Sequence, residues 1–256
     1  MGQLHTATLM PGLPAIALGM ICIFGAAVVR GYSGFGFSLL SVTALSLFFE
    51  PRAIIPSIFI LEVAASVHLM IDSWRDVHWL SLRRLAAGCL IGTPVGVYVL
   101  ARVPPAPLTL ALSAIVLLLA SLLARGFVLR AMPGRTATVA TGVASGLLNG
   151  SIGIGGPPVV MFFFGSPAGV ASGRASMIAY FLFTDVLALA WQWHESLLNR
   201  TVLVRALVYA PALAAGVWLG NRAFAAVAPE RFRYWVLRLL VALAGLTGAR
   251  ALWQLA

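Results

Sequence analysis

Two of the seven acidic side chains in this 256-residue chain stand in the middle of long apolar runs. Glu62 lies midway through 53–71, and Asp185 lies midway through 172–193. An ionisable group at bilayer depth costs at least about 2.5–3.5 kcal/mol on insertion scales, so it marks a candidate functional site. A carboxyl held there can take up and release a proton, which makes both residues candidates for proton coupling. A structural hydrogen bond to a neighbouring helix is the plainer alternative. His68, a turn and a half beyond Glu62, would extend a relay because imidazole titrates in the physiological range. Otherwise it is an interfacial packing residue.

Two glycine-rich stretches offer a second kind of chemistry. One reads Arg30-Gly31-Tyr32-Ser33-Gly34-Phe35-Gly36-Phe37-Ser38, the other Asn149-Gly150-Ser151-Ile152-Gly153-Ile154-Gly155-Gly156-Pro157-Pro158. Glycine admits positive φ and proline stops the preceding helix, so both stretches predict a break in an apolar segment. Broken backbone at membrane depth is tolerated only inside protein or beside a wet cavity. Helix ends exposed there present free N–H groups to an anion. Gly34, Gly36, Gly153, Gly155, Gly156 and Pro157 are therefore candidate substrate-binding positions, with Ser33, Ser38, Asn149 and Ser151 adding side-chain hydrogen bonds. Arg52 and Arg174 begin the helices that follow, where a guanidinium attracts or gates an anion or simply anchors a loop. Glycine packing between close helices would account for a single break, but not so readily for one in each half.

These groups need a scaffold that holds them in lipid. The chain is 61% hydrophobic and 9% charged, with a mean hydropathy of +0.99. A water-soluble domain carries about 25% charged residues. Apolar on all faces and longer than barrel strands, the runs predict transmembrane helices. They fall at 13–29, 33–49, 53–71, 79–101, 107–128, 137–150, 154–165, 172–193, 201–221 and 232–254. Crossing about 30 Å of hydrocarbon takes about 20 residues. The pair 137–150 and 154–165 falls short, and the pair 13–29 and 33–49 is borderline. All 17 basic residues are arginine and the formal charge is +10. No basic run forms, so the arginines read as topology signals in short loops and not as a nucleic-acid surface. The first basic residue is Arg30, so no cleavable leader is expected.

The short pairs occupy corresponding places. Gly34-Phe35-Gly36 lies 119 residues before Gly153-Ile154-Gly155, and the same offset relates Trp74 to Trp193 and Asp76 to Glu195. One residue out of that register, Gly96-Val97-Tyr98 lies over Gly216-Val217-Trp218. Common order at a near-constant offset predicts a duplication, 1–130 and 131–256, within a single membrane domain. The loops holding Arg75, Arg83 and Arg84, then Arg125, Arg130 and Arg135, then Arg222, Arg231 and Arg233 are expected on the cytoplasmic side. The loop with Arg102 is expected outside, and so is the one near Trp193, despite Arg200 and Arg205. The expected fold is thus an all-α polytopic membrane protein of two inverted-topology repeats. Each is a glycine-rich helical hairpin, spanning or re-entrant, followed by three transmembrane helices.

With these residues the chain resembles the TauE/SafE family of sulfite exporters, also called the 4-toluene sulfonate uptake permease family. The resemblance rests on Gly146-Leu147-Leu148-Asn149-Gly150-Ser151-Ile152-Gly153-Ile154-Gly155-Gly156-Pro157-Pro158. In the first half it continues into Glu50-Pro51-Arg52-Ala53-Ile54-Ile55-Pro56. It implies a duplicated multi-span carrier for sulfur-containing anions such as sulfite, sulfonates and sulfoacetate, in a bacterial-type inner membrane.

Other classes fit less of the chain. Gly31-Tyr32-Ser33-Gly34 matches the Gly-x-Ser-Gly of rhomboid-type intramembrane proteases, which would need His68 within reach of Ser33. A passive anion channel would share the same cavity and lack coupling. No nucleotide-binding fingerprint, cofactor motif or metal-ligand spacing occurs, so none is expected. Expected partners are a small anion, protons, membrane lipid and, as a further candidate, a second copy of the chain; nucleic acid is not one.

Overall fold

The computed structural model describes residues 13–124, 133–164 and 170–224, together with positions 245 and 249. Apart from those two positions the expected span 232–254 lies outside the described residues, as do Arg125, Arg130, Arg231 and Arg233. The described chain is nine α-helices and one 3-10 turn: α1 Leu13–Ser33, α2 Phe37–Leu45, α3 Pro51–Ser73, the turn Trp74–Asp76, α4 Trp79–Arg102, α5 Pro105–Ala124, α6 Arg135–Ile152, α7 Gly156–Phe164, α8 Val170–His194 and α9 Arg200–Phe224. Proline at the first position of α3 and α5 costs no hydrogen bond, because that N–H has no acceptor in the helix anyway.

Five stretches are long and apolar enough to cross a membrane: Ile16–Ser33, Pro51–Asp76, Trp79–Arg102, Ala171–His194 and Arg200–Ala223. The chain is a multi-pass membrane protein. By contrast α2 and α7 have nine residues each. At 1.5 Å per residue each reaches roughly 14 Å, about half the hydrocarbon thickness. Every residue of α2 is buried, which is where a helix apolar on all faces belongs when protein surrounds it. The outward faces of the long helices carry Ile21, Ile71, Trp193 and Leu207, all largely exposed, as lipid-facing side chains are.

Glycine sets how closely the long helices approach. Gly88, Gly92 and Gly96 of α4 face Gly142, Gly146 and Gly150 of α6, and a methyl group on any of them would collide with the opposing helix. A second seam joins α1 to α9, where a methyl on Gly31, Gly216 or Gly220 would strike backbone across the interface. Small residues at a four-residue spacing let membrane helices pack backbone to backbone. Between these two pairs, α3 packs against α8.

Polar contacts fix the direction of that central pair. At one end Ser57 donates to the Val202 carbonyl (3.1 Å), Arg205 donates to the Ala53 carbonyl, and Arg102 pairs with Glu195 (2.9 Å). The start of α3 therefore lies beside the end of α8 and the start of α9. At the other end the Ser176 hydroxyl, near the start of α8, accepts from the His78 N–H just beyond α3 (2.9 Å). The two central helices run antiparallel.

One boundary differs from the sequence reading. The expected runs 13–29 and 33–49 meet at Arg30–Tyr32, yet α1 continues through Arg30 to Ser33 and the chain breaks at Gly34–Gly36. Arg30 does not end the helix because its charge finds partners inside the protein.

Candidate functional site at the two helix breaks

The first break follows α1. Gly34 and Gly36 adopt φ of 76° and 90°, a left-handed conformation that a side chain would strain. The Ser33 hydroxyl spans the turn, donating toward the Val29 (2.7 Å) and Phe35 (2.9 Å) carbonyls. Helix α2 then starts with its first hydrogen bond from the Leu40 N–H to the Gly36 carbonyl (3.0 Å). The N–H groups of Phe37, Ser38 and Leu39 lie in the first turn, which has no intrahelical acceptors.

The second break follows α6, where Gly153 takes φ of 73° and its N–H caps the Asn149 carbonyl (2.9 Å). Asn149 then ties the break to α8. Its side-chain oxygen accepts from the Gly155 N–H (3.2 Å), and its amide donates to Thr184 Oγ1 (2.7 Å) and Asp185 Oδ1 (2.8 Å). The Ser145 hydroxyl donates to the Gly155 carbonyl. Helix α7 opens on Gly156-Pro157-Pro158, so two positions of its first turn have no N–H to offer.

Both breaks face one cavity. Its wall includes Phe35, Gly36 and Ser38 from the first break, Asn149, Gly155, Gly156 and Pro157 from the second, and Glu62 and Phe181 from the central helices. The N-termini of α2 and α7, the positive ends of their helix dipoles, thus meet in one cavity. The Ser38 hydroxyl and Glu62 Oε2 are buried there without hydrogen-bond partners among the described residues. A site with this wall can hold an anion by backbone and hydroxyl donors, next to a carboxyl that can exchange a proton.

Behind the wall lies Arg30, fully buried. Its guanidinium donates to the Gly34 carbonyl (2.7 Å) and Ser66 Oγ (2.6 Å), stands 3.3 Å from Glu62 Oε1, and lies over the Phe181 ring at 5.0 Å. Arg30 and Asn149 are 119 residues apart, as are their partners Ser66 and Asp185. Each break therefore sends one polar side chain to the same position on the central helix beside it.

The remaining predicted residues are spread more widely. Gly34 abuts Arg174 and Gly153 abuts Val42 and Ile55, while Ser151 donates back to the Leu147 carbonyl (2.7 Å). Arg174 donates to the Gly31 (2.6 Å) and Tyr32 (3.2 Å) carbonyls and to Asn221 Oδ1 (2.9 Å), closing the end of α1. Arg52 donates to the Val103 carbonyl at the end of α4. His68 is exposed on α3, while the Ser33 hydroxyl is turned toward its own backbone. Asp185 is fully buried on its bond to Asn149. Sequence reading passed over Arg30, Ser66, Thr184 and Phe181. An available signal was the spacing: Arg30 stands one helical turn before the first break, where Asn149 stands before the second.

A membrane chain with paired helix breaks around one cavity, its wall largely apolar with a few polar groups, has the architecture of a transporter, and the comparison with known proteins agrees. Residues 18–247 match the family described as sulfite exporter TauE/SafE, so the chain belongs to that family. A relative from Cupriavidus necator, described as a probable sulfite/organosulfonate exporter TauE, is 25% identical over 216 residues, covering 80% of this chain and 83% of its own length. No solved structure matches the chain.

Proposed function

We propose that this protein is a secondary transporter of small sulfur-containing anions of the sulfite, sulfonate or sulfoacetate type in a bacterial inner membrane. In this reading the anion sits between the two breaks, and Glu62 and Asp185 link its movement to protons. The observation that carries it is the meeting of two short-helix N-termini and a buried carboxyl at one cavity. Discontinuous helices whose N-termini face an anionic group are a recurring transporter device. The relative's description supports the substrate class.

The proposed scaffold is two inverted repeats, 1–130 and 131–256. It is supported by the antiparallel run of α3 and α8, and by the crosswise seams, in which the first helix of each proposed repeat packs on the fourth of the other. The Gly34 and Gly153 contacts support it too: Arg174 and Ile55, the residues they meet, are again 119 apart.

The test is reconstitution into proteoliposomes. Uphill uptake of sulfite or a sulfonate driven by a pH gradient is expected. Flux that only follows the anion's own electrochemical gradient would identify a channel, and no flux of any sulfur anion would overturn the reading. Single cysteines introduced at Asp76 and Glu195 should label from opposite faces; labelling from one face rejects inversion.

A further inference from the structure

The transport reading leaves one group unused, the Arg30 guanidinium. It is the fully buried cation of the described core, and its Nε has no hydrogen-bond partner among the described residues. Two of the residues touching it, Glu62 and Phe181, are themselves part of the cavity wall. An anion in the cavity thus meets Glu62 on the way to Arg30. Glu62 Oε1, 3.3 Å from Arg30 Nη1, occupies the place that one oxygen of a sulfonate would take against the guanidinium.

Resting on the transporter proposal, we infer that Arg30 is the anion-binding cation of this protein and that Glu62 is its exchangeable counter-ion. The arriving anion replaces the Glu62 carboxylate on Arg30, and Glu62 accepts one proton from the aqueous phase on the side from which the anion came. Anion and proton then leave together on the other side, and Glu62 returns to Arg30.

Charge counting favours this exchange. The enclosed cluster holds one guanidinium and two carboxyls, Glu62 and Asp185, and is neutral when one proton is bound. Adding a monoanion without a proton would leave a net charge in a low-dielectric interior, which is costly to move across a bilayer. With one proton the loaded cluster is again neutral, so both states can reorient. The groups facing Glu62 allow the trade. From α1 comes Arg30. From α8 comes Asp185, tied to Asn149 of α6, with Tyr180 nearby and Cys89 of α4 within electrostatic reach of both. Helices α2 and α5 carry no ionisable side chain, Arg205 of α9 is engaged at Ala53 near the start of α3, and Tyr209 of α9 lies beside Arg205. A further cation, Arg174 of α8, lies within electrostatic reach of Arg30, but it has Asp72 in reach as its own acid. It is engaged at the Gly31 and Tyr32 carbonyls and Asn221, so it is not released to balance the anion if Glu62 stays charged.

The experiment uses the full chain in proteoliposomes and a monovalent alkanesulfonate, which stays ionised at every working pH and so brings no proton of its own. Anion flux, lumenal pH and membrane current are measured together. The wild type should move one proton per sulfonate and no net charge. Glu62→Gln should still carry the anion, with no proton and with one charge per anion, so its flux should follow the membrane potential. Arg30→Gln should lower flux by about 100-fold, in the range for truncating one partner of a buried charge pair. Arg30→Lys should keep the wild-type ratio at weaker affinity. A wild type that moves one net charge per sulfonate overturns the inference even where the Glu62 variant fails to fold, and so does a Glu62→Gln protein that still moves one proton per anion. A wild type that carries no sulfur anion at all is a different result: it overturns the transporter reading itself.

Discussion

At the first helix break Arg30 reaches across to Ser66 on α3, and at the second Asn149 reaches across to Asp185 on α8. The positions correspond, but the charges are placed oppositely: a cation on the break in one half, an acid on the central helix in the other. The short helices differ in the same sense. Helix α2 begins with Phe37 and Ser38, which bring N–H groups and a hydroxyl, whereas α7 begins on Gly156 and two prolines. The first break is rich in donors and the second is poor in them. A duplicated scaffold with identical halves would offer two equal anion seats. Divergence at a few positions offers instead one proposed anion seat at Arg30, with Glu62 beside it as the proposed proton acceptor and Asp185 as the second acid of the cluster.

The sharpest way to break that comparison is to remove each break's reaching side chain in turn. Arg30→Gln strips the first break of its charge and leaves Glu62 buried and unpaired, so sulfonate transport should fall by about 100-fold. Asn149→Ala removes neutral hydrogen bonds and leaves Asp185 on α8; its loss should be no more than about tenfold. Transport assays on both proteins, with thermal melts to confirm folding, decide the matter. Equal losses would mean that the two breaks are not chemically distinct.

A second prediction concerns the acid of the second half. Asp185→Asn preserves an acceptor for the Asn149 amide and removes a titrating group. Uptake driven by a pH gradient should fall by at least about tenfold, equivalent to about 1.4 kcal/mol. Sulfonate binding, read by a thermal shift, should move far less, and the remaining flux should respond more weakly to the gradient. Unchanged pH dependence would remove Asp185 from the coupling.

How much of this was legible in the sequence depended on the kind of signal. Long apolar runs report a bilayer directly, so the spans that became α3, α4, α8 and α9 could be read within a few residues. The breaks were readable because glycine and proline act locally, through φ and a missing N–H. Arg30 was not, because an arginine in an apolar sequence looks like the end of a span until its partners are known. Two of those partners, Glu62 and Ser66, lie on α3 and come within reach of Arg30 only in the tertiary fold. Arg52 and Arg174 show the converse: their places at helix starts are plain in the sequence, but which carbonyl each one caps is set by the tertiary fold. The seams were hidden for a similar reason, since a glycine spacing does not name the helix it will meet.

The seams provide a third prediction, on stability. Gly92→Ala and Gly146→Ala place a methyl against the opposing helix, while Gly25→Ala meets nothing within 4 Å. The two seam variants should lose about 1–3 kcal/mol, the usual cost of overpacking. Gly25→Ala should stay within about 0.5 kcal/mol of the parent. Thermal unfolding in detergent, followed by loss of the monodisperse peak, measures the difference. If all three behave alike, the close approach of α4 and α6 does not govern stability.

The smallest expected effects are at the first turns of α2 and α7. Both Ser38 and Pro157 line the cavity, and they are 119 residues apart. Ser38→Ala removes a hydroxyl that has no hydrogen-bond partner among the described residues, so any loss of anion affinity reflects a contact made with the anion. A single neutral hydrogen bond contributes about 0.5–1.5 kcal/mol, which corresponds to a loss of roughly two- to tenfold. Pro157→Ala adds an N–H to the donor-poor end and should leave affinity nearly unchanged if the anion sits against the first break. Anion titration of the two purified variants makes the comparison directly. A silent Ser38→Ala alongside a several-fold gain in Pro157→Ala would exchange the roles assigned to the two breaks, because the added donor could help only an anion lying against α7.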